Sequence, residues 1–211
     1  MSEKTHVGNL KLIGGELCLD FANTVDWRLG GQPHEWLETY ADLIAWSRHA
    51  GILTQSEARW LLRMAGRSPG RARAVLRRAV QLRELIYRLF SAIAHGITPA
   101  ARDVEKFNRA LSNSLYRMRL VQVAGSFEWD WDGGGQDLER PLGHILRSAA
   151  ALLTGGGLKR IRQCRDGRCG WLFYDHSKNR SRCWCAMEDC GNRAKARRFY
   201  SRHRAEAAAK E

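Results

Sequence analysis

No apolar run in this 211-residue chain is long enough to cross a bilayer; the stretch at residues 149–153 is far short of the roughly twenty residues a spanning helix needs. The opening MSEKTHVGNL lacks the apolar core of a secretory signal, so the expected location is a reducing cytoplasm, with no membrane partner. The chain has no P-loop, dinucleotide fingerprint, G-x-S-x-G or H-E-x-x-H, and the expectation is that it is not an enzyme. It also has no internal repeat and no low-complexity tract. What remains is a globular chain, 44% hydrophobic, able to build one good core and a small accessory module.

Charge is abundant and uneven. The formal net charge is +13, which points to a polyanionic partner. Residues 159–204 hold fourteen Lys and Arg against four acids, an excess of +10, which leaves +3 for the rest. Five of the six cysteines fall in that same segment.

Periodicity predicts a mainly α fold with small β elements. A loose alternation over residues 6–13 suggests a strand, and residues 17–25 a helix. From Glu35, the residues Trp36, Leu37, Tyr40, Leu43 and Ile44 recur at helical spacing as far as Gly51. Thr54 and Glu57 have the spacing of a capping box. Ser68-Pro69 opens a helix that Gly96 ends, and Thr98-Pro99 repeats the start signal. Residues 127–132 alternate aromatic and acidic side chains, which with residues 120–123 predicts a hairpin. Leu142 to Leu153 reads as one more helix, closed by three glycines at 155–157. The expected division is a helical domain over 1–155, a basic module over 158–204 and a tail over 205–211.

Cys164-x4-Cys169 and Cys185-x4-Cys190 stand fifteen residues apart. Two tight turns that each offer two thiolates suit a tetrahedral zinc ion. Cys183 leaves alternatives open, since it can replace a ligand, stay free or be oxidised; His176 and His203 are further candidate donors. A module of about 45 residues buries too little to fold unaided, and a structural zinc supplies on the order of 10 kcal/mol.

The run from Cys164 through Cys169-Gly170-Trp171-Leu172-Phe173-Tyr174-Asp175 and Trp184-Cys185 to Cys190-Gly191-Asn192-Arg193 closely resembles the CGNR zinc finger family, whose tetrapeptide stands at 190–193. Leu17-Cys18-Leu19-Asp20-Phe21-Ala22-Asn23-Thr24-Val25 resembles the opening of the ABATE domain. These resemblances cover nearly the whole chain. They imply a bacterial, stress-responsive transcription regulator, with Cys164, Cys169, Cys185 and Cys190 as the zinc ligands. Cys183 stands where that family usually carries a basic residue, which bears on one phosphate contact and not on the metal site.

The expected finger is treble-clef-like: a strand at 171–175, a turn at 176–179, a returning strand at 181–185 and a helix from Cys190 to about His203. Ala196, Phe199, Tyr200 and His203 share one face of that helix and are expected to pack on the hairpin. Lys178, Arg180 and Arg182 on the hairpin, and Arg193, Lys195, Arg197, Arg198, Arg202 and Arg204 on the helix, are the candidate nucleic-acid contacts. DNA is the expected partner, with an RNA-binding or protein-interaction finger as the alternative and an enzyme acting on a small molecule behind it. A homodimer would enlarge a reader this small. Asp20, Asn23 and Thr24 are polar residues in an apolar stretch; they either satisfy buried backbone or touch a small-molecule effector.

Overall fold

Among the described residues, six helices of the main domain form because their apolar residues recur every three or four positions, and two of them start at a capping box. The computed structural model describes residues 6–131 and 137–208, with side chains to residue 203. In chain order the helices of the main domain are α1 (Leu17–Ala22), α2 (Tyr40–His49), α3 (Gln55–Arg67), α4 (Pro69–Ala94), α5 (Ala101–Leu115) and α6 (Arg140–Thr154). At α3 the expected capping box is present: Glu57 N–H donates to Thr54 Oγ1 and Thr54 N–H to the Glu57 carboxylate. Pro69 occupies the first turn of α4, whose buried face runs from Ala72 to Phe90.

Among the described residues, three antiparallel pairs complete the fold. They are β1 (Val25–Asp26) with β2 (His34–Glu35), β3 (Met118–Val123) with β4 (Ser126–Trp131), and β5 (Ile161–Gln163) with β6 (Leu172–Tyr174). Ala124 and Gly125 both have positive φ and close the β3–β4 hairpin, which the alternation of residues 127–131 predicts. Asp132, the last acid of that pattern, lies outside the described residues. No helix among the described residues is long and apolar enough to cross a membrane.

Several elements depart from the sequence reading. Residues 6–13 form no strand; Val7–Asn9 is a 3-10 turn capped by His6. Helix α2 begins at Tyr40, not near Glu35, because Thr39 and Asp42 make a capping box there. Trp36 instead donates its indole N–H to Asp26, and Glu35 pairs in β2. The finger's hairpin is also displaced. It is β5 with β6, so the first cysteine pair sits in its turn, and residues 181–185 form no strand. A π-helical turn, Met187–Gly191, then runs into α7 (Asn192–Ala208).

The main core is not confined to the helices. Ile161 of β5 and Leu172 of β6, both fully buried, belong to it. A second, smaller core gathers Cys164, Cys169, Cys185, Cys190, Trp171 and Phe173, with Ile13 packed against it. The finger therefore leans on the helical domain through a shared hydrophobic contact.

Candidate metal centre and nucleic-acid interface

The turn between β5 and β6 bends tightly enough to bring Cys164 and Cys169 together. Cys164 N–H donates to the Trp171 carbonyl at 2.8 Å, and Cys169 N–H to the Asp166 carbonyl at 3.0 Å. Gly170 has φ +76, and a Cβ there would meet Leu29 Cγ at 2.9 Å, so the turn needs glycine. Cys185 precedes the π-helical turn before α7, and Cys190 lies within that turn. All four sulfurs lie within 4.8 Å of one another, and all four residues are buried. The Cys169–Cys185 and Cys185–Cys190 sulfurs are 3.6 Å and 3.4 Å apart.

Those separations test the metal directly. Zn–S bonds of about 2.3 Å in a tetrahedron place the sulfurs about 3.8 Å apart. A disulfide would need about 2.05 Å, and all six cysteines are free. The donor set therefore fits zinc, and the centre is a four-cysteine zinc site. Cys183 stands outside the cluster and donates to the Ser181 carbonyl at 3.3 Å. Neither His176 nor His203 joins the cluster.

Charge around the sulfurs is arranged to offset them. Arg193 donates from Nη2 to Cys190 Sγ at 2.9 Å and from Nε to Asp166 at 3.1 Å. Its guanidinium lies 4.6 Å from the Trp27 ring centroid. Burial opposes ionisation of Asp166, but the bonds from Arg193 and from Arg168 N–H hold its carboxyl below the usual range. Trp27 itself is held at φ +54 by the docking of its loop: Arg28 N–H and Leu29 N–H donate to the Cys169 and Arg168 carbonyls. Arg28 is fixed in turn by Glu84 of α4 and by the Tyr87 ring.

Two expected nucleic-acid contacts are thus committed elsewhere. Arg193 braces the metal centre. Arg182 donates to the carbonyls of Ile13, Trp184 and Cys185 and lies 4.2 Å over the Phe173 ring, clamping the finger to the N-terminal segment. Arg197 pairs with Asp166 at 3.4 Å but remains half exposed. Lys178, Arg180, Lys195, Arg198 and Arg202 are exposed and make no ion pair with an acid among the described residues. The Arg204 side chain lies outside the described residues. Ala196, Phe199, Tyr200 and His203, expected to pack on the hairpin, are instead exposed, Phe199 and Tyr200 at 54% and 71%, whereas Ala194 in the first turn of α7 is buried.

Asp20, Asn23 and Thr24 each hydrogen-bond to backbone. Asn23 makes a two-way clamp with Leu172 of β6: its Nδ2 donates to the carbonyl and its Oδ1 accepts from the N–H, both at 2.8 Å. Thr24, fully buried, donates to the Phe21 carbonyl. Asp20 accepts from Gly14 N–H at 2.7 Å, and burial pushes its carboxyl up to about 6. The buried Arg83, held at both Nη by Glu35, also reaches Thr24. The Asn23 clamp matches the expectation that this residue satisfies buried backbone. Sequence reading missed Asp166 and Trp27 as parts of the site, and the position of Asp166 between two ligand cysteines was the one local signal for them.

Among known families, residues 15–156 match the ABATE family model, described as "Putative stress-induced transcription regulator", and residues 160–203 match the model of the CGNR zinc finger. A search of curated proteins gives no match.

Proposed function

The chain belongs to the ABATE family and carries a CGNR zinc finger, and from that premise we propose that it is a transcription regulator whose α7 and preceding loop bind DNA. Bound zinc ties the β5–β6 turn to the start of α7, and with four thiolate ligands it offers no open position for a substrate. The metal's role in this reading is structural.

One observation carries the proposal. Lys195, Arg198 and Arg202 stand at i, i+3 and i+7 of α7, on one face, exposed and without an acid partner among the described residues. A row of unmatched cations on a braced helix suits a phosphate track, and arginine can also pair bidentately with guanine. Lys178 and Arg180, on the loop after β6, add phosphate contacts. Arg182 and Arg193 hold the helix start in place and leave the contacts to their neighbours. Two chains pairing on one DNA site belong to the same reading, and the binding stoichiometry reports them.

A second reading rests on Phe199 and Tyr200. Exposed aromatic rings beside free cations can stack on unpaired bases, which favours single-stranded RNA or DNA.

The test is a titration of genomic DNA fragments with zinc-loaded protein across a salt series. Affinity is expected to fall steeply with salt, and Lys195→Ala/Arg198→Ala/Arg202→Ala to make the log–log slope shallower by about 2 to 3. Salt-indifferent binding, or a triple variant that binds as well as wild type, rules the proposal out. A single-stranded competitor in the same titration separates the duplex reading from the second one.

A further inference from the structure

A cleft of about 710 Å³, open to solvent along its α5 side, lies between α4, α5, α6 and the end of β4. Its two walls differ in character. Leu82 and Leu85 of α4 and Leu142 and Leu146 of α6 make one wall apolar, and Trp131 adds its ring. The opposite wall is a face of α5 and the residues just after it: Lys106, Ala110, Asn113, Ser114 and Arg117. Those positions recur at i, i+4, i+7, i+8 and i+11, so they form one continuous helical face. A helix that closed a core against four leucines would carry large apolar residues there. This one carries small and polar side chains, and its buried Phe107 does not line the space.

Polar groups on that wall are open to a ligand or to water. Asn113 makes no side-chain hydrogen bond among the described residues, and the Ser114 hydroxyl reaches only Met118 Sδ, at 3.9 Å. Charge is uneven along its length. At one end, Arg117 and Arg78 are matched by Asp137 and Glu139. At the other, Asp103 is taken up by a two-pronged pair with Arg88, both distances 3.0 Å, and Lys106 has no ion pair among the described residues. Glu84, also at the wall, is held by Arg28 and Arg83. One cation is therefore left over, at the Lys106 end.

The geometry points to a binding site for a small amphiphilic anion, its apolar body against the α4–α6 leucines and its carboxylate or sulfonate toward Lys106. The volume falls within the range of small-molecule sites. The polar side of the ligand would face Asn113 and Ser114. This site is separate from Asp20, Asn23 and Thr24, and it stands whether or not the chain binds DNA.

The experiment titrates full-length, zinc-loaded protein with 1-anilinonaphthalene-8-sulfonate and follows its fluorescence, then competes with octanoate or octylammonium below their micellar range. Saturable binding of one probe per chain is expected, displaced by octanoate and not by octylammonium. Ala110→Phe fills the space and abolishes binding. Lys106→Glu, at an exposed position that cannot disturb packing, weakens it by roughly tenfold. A cooperative thermal melt in each variant excludes unfolding as the cause, and if Ala110→Phe fails to fold, Lys106→Glu alone decides. Absence of a saturable site, equal binding by Lys106→Glu, undiminished binding by a folded Ala110→Phe, or equal displacement by octylammonium would each overturn the assignment.

Discussion

Arg193 touches the Cys190 sulfur, the Asp166 carboxylate and the face of Trp27 with one guanidinium. Asp166 is fully buried, so removing Arg193 leaves a charged carboxylate with only Arg197 and the Arg168 N–H to hold it. Arg193 is itself more than a third exposed, so stripping it from the buried carboxylate costs less than the about 3 kcal/mol of a fully buried pair. Arg193→Ala is expected to lower the melting temperature and to speed zinc release to a chromophoric chelator. Arg198→Ala, whose side chain has no acid partner, should leave both at wild-type values. Equal zinc-release rates in the two variants would make Arg193 a nucleic-acid contact again rather than a brace. Arginines that look alike in sequence differ here because their partners come from distant parts of the chain: Ile13 for Arg182, Asp166 for Arg193, and no acid for Arg198.

At the scale of elements, Trp131 seats the β3–β4 hairpin on α6. A Cβ at Gly143 would lie 2.0 Å and 2.1 Å from two Trp131 ring carbons and 2.7 Å from Ser114 Oγ. Alanine gains about 1 kcal/mol over glycine inside a helix. Overpacking a rigid ring costs about 1–3 kcal/mol, and here the ring itself must leave. Gly143→Ala is expected to destabilise by about 2 kcal/mol and to red-shift tryptophan emission, whereas Gly66→Ala in α3, which meets open space, should stabilise. A Gly143→Ala protein as stable as wild type would mean the ring is not seated there. Elements set by local signals were legible in the sequence: the Thr54–Glu57 box, the long stripe of α4, the alternation ending at Trp131. The four-cysteine set was legible too, since each pair closes its own turn. Elements set by distant partners were not. Strand β5 is three residues long and exists because β6 and α4 cover it. Residues 181–185 form no strand, because Arg182 N–H goes to the Asp175 carboxylate. Trp36 and Leu37 kept helical spacing with the residues of α2 yet fell outside it, because Glu35 pairs with Val25 and the Thr39 cap starts the helix afterwards.

For the molecule as a whole, the question is whether finger and helical domain fold as one. The glycines at 155–157 suggested a boundary, but contacts across it are numerous in kind. Ile161 and Leu172 sit in the helical core, Asn23 clamps β6, and Trp171 donates its indole N–H to the Val25 carbonyl at 2.9 Å. Tyr174 N–H donates to the Gly14 carbonyl as well. Zinc removal frees the β5–β6 turn, and if β6 then leaves α1, the Leu172 N–H and carbonyl lose Asn23 while Leu172 loses its apolar surroundings. The helical domain would forfeit about 3 kcal/mol from buried leucine and hydrogen bonds together. For a domain of this length that lowers the melting temperature by roughly 6–12 °C. Helical circular dichroism of reduced protein, melted with and without a chelator, is expected to show that drop. Asn23→Ala leaves two buried backbone groups unpaired and should split the single transition of the zinc-loaded protein into two. A helical melt indifferent to chelation would mean that the finger hangs on the domain as an independent module, with α7 free of the brace that the DNA-binding proposal gives it.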